Sequence, residues 1–503
     1  MSSTPHPRVS TADLQSVLDD ACLRHRVPGA VLGVRQHGDS TVVAHGVANV
    51  STGEPMTPHT VSQIASVSKL FTAAAVHRLL AEHNIGIDTP INALVPEVST
   101  LDDGVTVRRL LDHTSGLEGD LWDDFGANGD AIARFTTAVA GIGSIHAPGA
   151  LMSYCNSGYV VLGRLVERLG GSTFDRVIDR LVVQPIGLRR TTLRLADAVQ
   201  HRIALGHDLT PAGTVVPRPF ISMRCLSPTG GVMSTVDDLL DLVASLPDDM
   251  RQRSSTNPDP WTAGPGWCLG MTDCTGADGE PVFGHDGLWI GSGAYVRVVP
   301  SLNLTIAMVG AAGHARTVWQ DVYAELLTRA GLRGIETPVR SAGFGVARER
   351  YTGSYRRLSQ EVEVREEHGR LVMSSAPTGA IAAVSATSTV ELHPCAPDVF
   401  LARAHLARES GSVVPPGLEP LDQLQRLAYR HVRIGPHAFL DLPCAPLRPA
   451  PARPTIKHPS GKDFFHRSAV LGSDARHVVD VTCRLRRLPQ RVDQPREHGL
   501  EVD

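Results

Sequence analysis

A chain of 503 residues exceeds one ordinary domain, so two or three are expected. Its hydrophobic fraction of 42% supports a substantial core, and a net charge of −4 with no long basic run before the tail argues against nucleic-acid and anionic-membrane partners. Eight cysteines at irregular spacing form no C-x-x-C pair, which excludes a zinc ribbon and a thioredoxin-type site, so no metal and no cofactor is expected.

In chain order, the segment Met1 to Arg8 has no apolar stretch behind its charge, and no run reaches the ~18 apolar residues of a membrane span. A soluble, cytoplasmic protein is expected. Thr11 reads as an N-cap, followed by an amphipathic helix over 12–26 with Leu14, Val17, Leu18 and Cys22 on one stripe. Gly29 to Arg35 and Thr41 to Val50 read as two strands joined through His37-Gly38-Asp39-Ser40, a hairpin with Gly-Asp turn chemistry. A helix follows Ser66. Residues 100–240 read mainly as helices broken by turns, including one from Tyr159 to Leu169 closed by Gly170-Gly171. Strand patterns return at Pro281 to Phe283, Ser292 to Val299 and Leu304 to Val309. Strands at both ends of a helical middle imply an α+β fold: one antiparallel sheet flanked by helices, with a helical subdomain inserted. Near 335–350 the composition shifts to Gly, Arg and Pro, as in a linker. Short alternating runs after Tyr351 suggest a small antiparallel β domain. The expected division is a catalytic domain over 1–340, a β domain over 346–445, and a Pro/Arg-rich, poorly ordered tail over 446–503.

One residue stands out. Lysine occurs only at 69, 457 and 462, so 45 of the 48 Lys plus Arg are arginine (48 − 3). Arg stays protonated, whereas a buried Lys can give up its proton. Lys69 lies three residues after Ser66, a spacing that puts both on one helix face. A serine hydroxyl needs such a base to become a nucleophile. The sequence beyond it, Leu70-Phe71-Thr72-Ala73-Ala74-Ala75-Val76, is apolar nearly all round and marks a buried helix. A cation there is costly unless paired or neutral. The blander reading is a solvated helix lysine.

Two further motifs accompany it: Tyr154-Cys155-Asn156, and Gly284-His285-Asp286-Gly287-Leu288 at the head of a strand. Together the three motifs resemble the serine β-lactamase/penicillin-recognising superfamily, in particular its class C β-lactamase-like esterases, D-amino-acid peptidases and transacylases. Ser66-Val67-Ser68-Lys69 resembles the S-x-x-K box, Tyr154-Cys155-Asn156 the Y-x-N box, and His285-Asp286-Gly287 the third box, K-T-G or H-x-G. Leu110 to Leu117, Pro185 to Leu188, and Gly230 to Thr235 are similar to supporting phrases of the same family. The likeness spans about residues 12–330 in order.

The resemblance implies a β-lactamase/transpeptidase-like fold and an acyl-enzyme on Ser66. It implies Tyr154 as the proton shuttle, tuned by Lys69, and Asn156 as the group that orients Lys69 and binds a substrate amide. It assigns the oxyanion to the backbone amides of Ser66 and Leu288, with Gly287 allowing close approach of a substrate. His285 stands where many members carry Lys, so a permanent cation is replaced by an imidazole that is mostly neutral at pH 7. Specialised β-lactam hydrolysis is therefore disfavoured. The residues of the β domain resemble a lipocalin-like C-terminal domain through Tyr351-Thr352-Gly353-Ser354-Tyr355 alone. His113 is assigned a structural role, with its ring bonding backbone near Thr114-Ser115-Gly116, and Cys155 is read as a small hydrophobic filler.

The leading expectation is a serine acyl-enzyme hydrolase for esters, amides or D-amino-acid peptides. The substrate would be a small molecule or short peptide. One alternative is a transacylase or peptide cyclase of secondary metabolism, in which an amine or alcohol intercepts the acyl group. An inactive ligand-binding scaffold is the alternative of another class.

Overall fold

A computed structural model of the chain describes residues 10–119, 121–210, 212–257, 264–334, 348–383, 387–396, 399–404 and 429–433. The expected tail, and most of the expected linker, lie outside the described residues.

The first helix, α1 (Thr11–His25), begins one residue earlier than its pattern suggested. Ser10, not Thr11, is the N-cap, and its side chain accepts from the Asp13 N–H. Strands β1 (Gly29–Gln36) and β2 (Asp39–Asn49) pair in register, with Gln36 opposite Asp39. The two residues between them, His37 and Gly38, both have positive φ (51° and 91°), which makes the tight turn that suits the twist of a hairpin. A short β3 (Glu54–Pro55) pairs with β2.

The other strands of this sheet come much later in the chain: β4 (Arg253–Thr256), β5 (Gly266–Cys268), β6 (Thr272–Asp273), β7 (Phe283–Trp289), β8 (Ser292–Val299) and β9 (Leu304–Gly310). The sheet runs β3-β2-β1-β9-β8-β7-β6-β5-β4 and is antiparallel throughout. The sequence reading missed β4, β5 and β6. They are two to four residues long, too short for an alternating pattern to show.

Side chains of a strand alternate between faces, and the core divides accordingly. Ala30, Leu32, Ile306 and Met308 pack with α1 and with α5 (Arg316–Arg329), the helix that follows the last strand of this sheet, through Leu14, Leu18, Val318 and Trp319. Val31, Val296, Ala307 and Val309 belong to the larger core, with α2 (Ser68–Glu82), α3 (Asn156–Gly170) and α4 (Val236–Ala244). Most of the inserted middle is helical, and α3 ends at Gly171 with φ 65°, as its Gly-Gly terminus implied.

A second antiparallel sheet has six strands: Gly353–Arg356, Gln360–Glu367, Arg370–Pro377, Ser388–Ala396, Val399–Ala404 and Tyr429–Arg433 in consecutive order. Its own small core contains Tyr351, Tyr355, Val362, Val364, Leu371, Leu392 and Phe400. No helix among the described residues is long and apolar enough to cross a membrane.

Candidate active site

Ser66 sits in a single tight turn, Ala65–Val67, that leads straight into α2. The residue before it, Ala65, has φ 46°, a left-handed conformation that is uncommon for a residue with a Cβ. Such a residue persists only where its surroundings over-determine it. Here they do: the Val67 N–H bonds Ile64 O, and the Ile64 N–H bonds Val232 O.

At the second position of the buried helix α2, Lys69 is fully buried. Its Nζ donates to Ser66 Oγ at 3.2 Å, to Asn156 Oδ1 at 2.8 Å and to Thr229 O at 3.0 Å. Three protons of an ammonium thus find three acceptors, which offsets the cost of burying the charge. The Nζ also stands 4.8 Å from the centre of the Tyr154 ring and 5.5 Å from that of Tyr159.

Asn156 is the first residue of α3, so the Y-x-N box straddles a helix start. Its Oδ1 accepts a second bond, from Thr229 Oγ1 at 2.9 Å. Thr229 belongs to the Pro-Thr-Gly-Gly segment, and its role as a Lys69 partner escaped the sequence reading. That segment is tied to α2 twice more, through Thr72 Oγ1 to Pro228 O at 2.6 Å and Val232 N–H to Ser68 Oγ at 3.0 Å. Cys155 is more than filler: its Sγ caps α3 by accepting from the Gly158 N–H at 3.2 Å.

The third motif lies on β7, against the Ser66 turn. A Cβ on Gly287 would stand 2.2 Å from Ile64 O and 3.1 Å from the Ser66 nitrogen. Only glycine fits there. The alternation of the strand puts His285 and Gly287 on one face and Asp286 and Leu288 on the other. Asp286 pairs with Arg297 at 2.6 Å. Burial raises its carboxyl, but Arg297 and Arg316 outweigh burial and hold it below the ordinary range. Leu288 is 45% exposed.

His285 is 2% exposed. Its Nδ1 is 2.7 Å from the carbonyl oxygen of Asp286. A carbonyl can only accept, so Nδ1 carries the proton and Nε2 is the bare nitrogen. Burial, and then the charge of Lys69, lowers its pKa to about 3. The imidazole is neutral across the physiological range.

An aromatic group surrounds these residues. Trp267, on β5, meets His285 edge-on at 5.4 Å and Tyr154 at 5.5 Å. His113 lies 4.4 Å from Tyr154 and 4.5 Å from Trp267. Trp267 sits on one of the strands too short to read, so no sequence signal pointed to it. The expectation for the His113 ring needs correction. It bonds not the backbone near Thr114-Ser115-Gly116 but the N–H of Cys155, at 3.1 Å. The turn at 112–114 is instead held by Asp112, whose Oδ1 accepts from the N–H and the hydroxyl of Thr114.

Residues from all three motifs therefore converge: a serine hydroxyl beside a lysine amine, a phenol over that amine, and a glycine strand against the serine amide. This fold and geometry define a serine-hydrolase-type enzyme. Residues 12–330 match the family described as Beta-lactamase, and the chain belongs to that family. Penicillin-binding protein 4 of Amycolatopsis lactamdurans is 33% identical over 356 residues, which cover 65% of this chain and 91% of that protein. Esterase EstB of Burkholderia gladioli is 30% identical over 323 residues, 54% of this chain and 82% of that protein. Among solved structures, SurE with D-Leu is 25% identical with a TM-score of 0.63, covering 79% of this chain and 92% of that one.

Proposed function

We propose that the chain is a serine acyl-enzyme hydrolase for esters, amides or D-amino-acid peptides, with Ser66 as nucleophile. The observation that carries the reading is the 3.2 Å contact between Ser66 Oγ and a Lys69 Nζ held in place by Asn156 and Thr229. Tyr154, whose ring lies over that amine, relays the serine proton to the leaving group. The amides of Ser66 and Leu288 receive the oxyanion. Asn156 and His285 contact the substrate. Residues 1–340 form the catalytic domain and 346–445 a small β domain. The likeness to an esterase and to a protein solved with a D-amino acid supports the substrate range. A neutral His285 supports it too, because it offers no charge to the carboxylate that β-lactams carry.

The test is intact-mass detection of an acyl group on Ser66 after exposure to p-nitrophenyl esters, D-amino-acid amides and β-lactams. Each is run with and without an added amine. An adduct that water removes supports hydrolysis. One that only the amine removes would make the protein a transacylase. No adduct with any class would refute the reading.

A further inference from the structure

We propose that His113 is a positioning residue for Tyr154, gripping the main chain on both sides of it. The inference rests on the reading of Tyr154 as proton shuttle. The N–H of Ser153 donates to the His113 carbonyl at 2.8 Å. The N–H of Cys155 donates to the His113 Nδ1 at 3.1 Å. One residue thus holds both peptide N–H groups that flank Tyr154, and its ring lies 4.4 Å from the Tyr154 ring between them.

Two features show that this grip is built. First, His113 has φ 62°, outside the usual range for a residue with a Cβ, and is fully buried. The turn around it is fastened from outside: Ser254 Oγ donates to Asp112 Oδ2, Ser255 Oγ donates to Asp112 O, and the Thr114 N–H bonds Arg109 O. Second, a peptide N–H can only donate, so Nδ1 must be the unprotonated nitrogen and the ring proton sits on Nε2. An imidazolium would put a proton on Nδ1, facing the Cys155 N–H, and break the grip. The titratable groups around the ring are Lys69, His285, Tyr154 and Tyr159, with Asp112 next in the chain. Burial first, then Lys69 and His285, hold the ring far on the neutral side.

A direct test reads the tautomer in the full-length protein. Ring-nitrogen NMR of 15N-histidine-labelled enzyme, with the signal assigned by its loss in His113→Asn, should show a bare Nδ1 and a protonated Nε2 for His113. That state should persist between about pH 6 and pH 8. A protonated Nδ1 in this range would overturn the proposal without any reference to activity.

The kinetic test compares two variants on a p-nitrophenyl ester. Asn places an amide oxygen at the position of Nδ1 and tolerates positive φ, so His113→Asn should fold and keep kcat within about threefold. His113→Phe keeps a ring but no acceptor. Its kcat should fall about ten- to a hundredfold, the scale of a displaced catalytic group, while KM stays within about threefold. A His113→Phe enzyme that folds with unchanged kcat overturns the proposal. So does a folded His113→Asn that loses kcat by more than about tenfold, and this arm stands even if the Phe variant fails to fold. Wild-type enzyme that never acylates Ser66 would instead sink the underlying reading, and the role of Tyr154 with it.

Discussion

The two walls of the site are made differently. On the helix wall, Lys69, Ser66, Asn156 and Thr229 form a saturated hydrogen-bond network, with each Lys69 proton on an acceptor. On the strand wall, His285 is just as buried, yet its Nε2 has no hydrogen-bond partner among the described residues. Buried polar atoms are rarely left so, and those that are tend to serve a role other than stability. Under the proposed function, the helix wall holds the nucleophile and its protons, and the strand wall, neutral and aromatic, selects the substrate.

Substitutions on the helix wall should therefore abolish chemistry whatever the substrate. Ser66→Ala is expected to lower ester turnover by about 10⁴-fold or more, with an unchanged circular dichroism spectrum. Residual activity above a few per cent in the folded variant would remove Ser66 as nucleophile. Lys69→Arg should cost about 10²- to 10³-fold, close to the loss in Lys69→Ala. A guanidinium keeps the charge but cannot give up a proton, and its planar fork does not match three acceptors set around a compact ammonium. Near-wild-type kcat in Lys69→Arg would reduce Lys69 to an electrostatic anchor.

The difference between the walls also explains what the sequence could reveal. Ser66 and Lys69 were legible because their spacing and the apolar run behind them single them out, whereas Tyr154 and Asn156 were singled out by the likeness of Tyr154-Cys155-Asn156 to the Y-x-N box. His285 and Gly287 were singled out by the likeness of His285-Asp286-Gly287 to the third box, since the strand pattern was read only over Pro281 to Phe283 whereas β7 runs from Phe283 to Trp289. Trp267 was not, since β5 has three residues and no periodicity. Thr229 was not legible either, because its contribution to Lys69 is a carbonyl, which every residue has. The ring partner of His113 lies 42 residues away, a long-range bond that local turn chemistry could not anticipate. The antiparallel sheet followed from strands at both ends of the helical middle, but its order, with β1 beside β9, is set by packing.

Changes on the strand wall should alter preference rather than abolish turnover. His285→Lys would place a cation where wild type has a neutral ring. A charge-assisted hydrogen bond to a carboxylate is worth about 1.5–3 kcal/mol, so acylation by penicillins and cephalosporins should rise about ten- to a hundredfold relative to esters. The comparison is kcat/KM for nitrocefin against p-nitrophenyl butyrate in both proteins. A wild-type preference for nitrocefin would contradict the selective role of the neutral imidazole.

The smallest expected effect is on stability, and it separates the walls by pH alone. The folded pKa of His285 is depressed to about 3, and that of His113 lies well below the ordinary value, while both titrate near 6.5 when unfolded. Below about pH 6.5 the unfolded chain binds protons that the folded one refuses. Stability is therefore complete above that pH and is lost as pH falls toward the folded values, by at most about 1.4 kcal/mol per pH unit for each neutral imidazole. His77, His207 and His314 are lowered as well, so the informative quantity is a difference. Urea unfolding of wild type and His285→Gln should show a shallower loss between about pH 6.5 and pH 5 in the variant, because one refused proton is gone. Equal slopes for wild type and His285→Gln would mean that His285 is protonated in the folded enzyme, and the strand wall would then carry a charge after all.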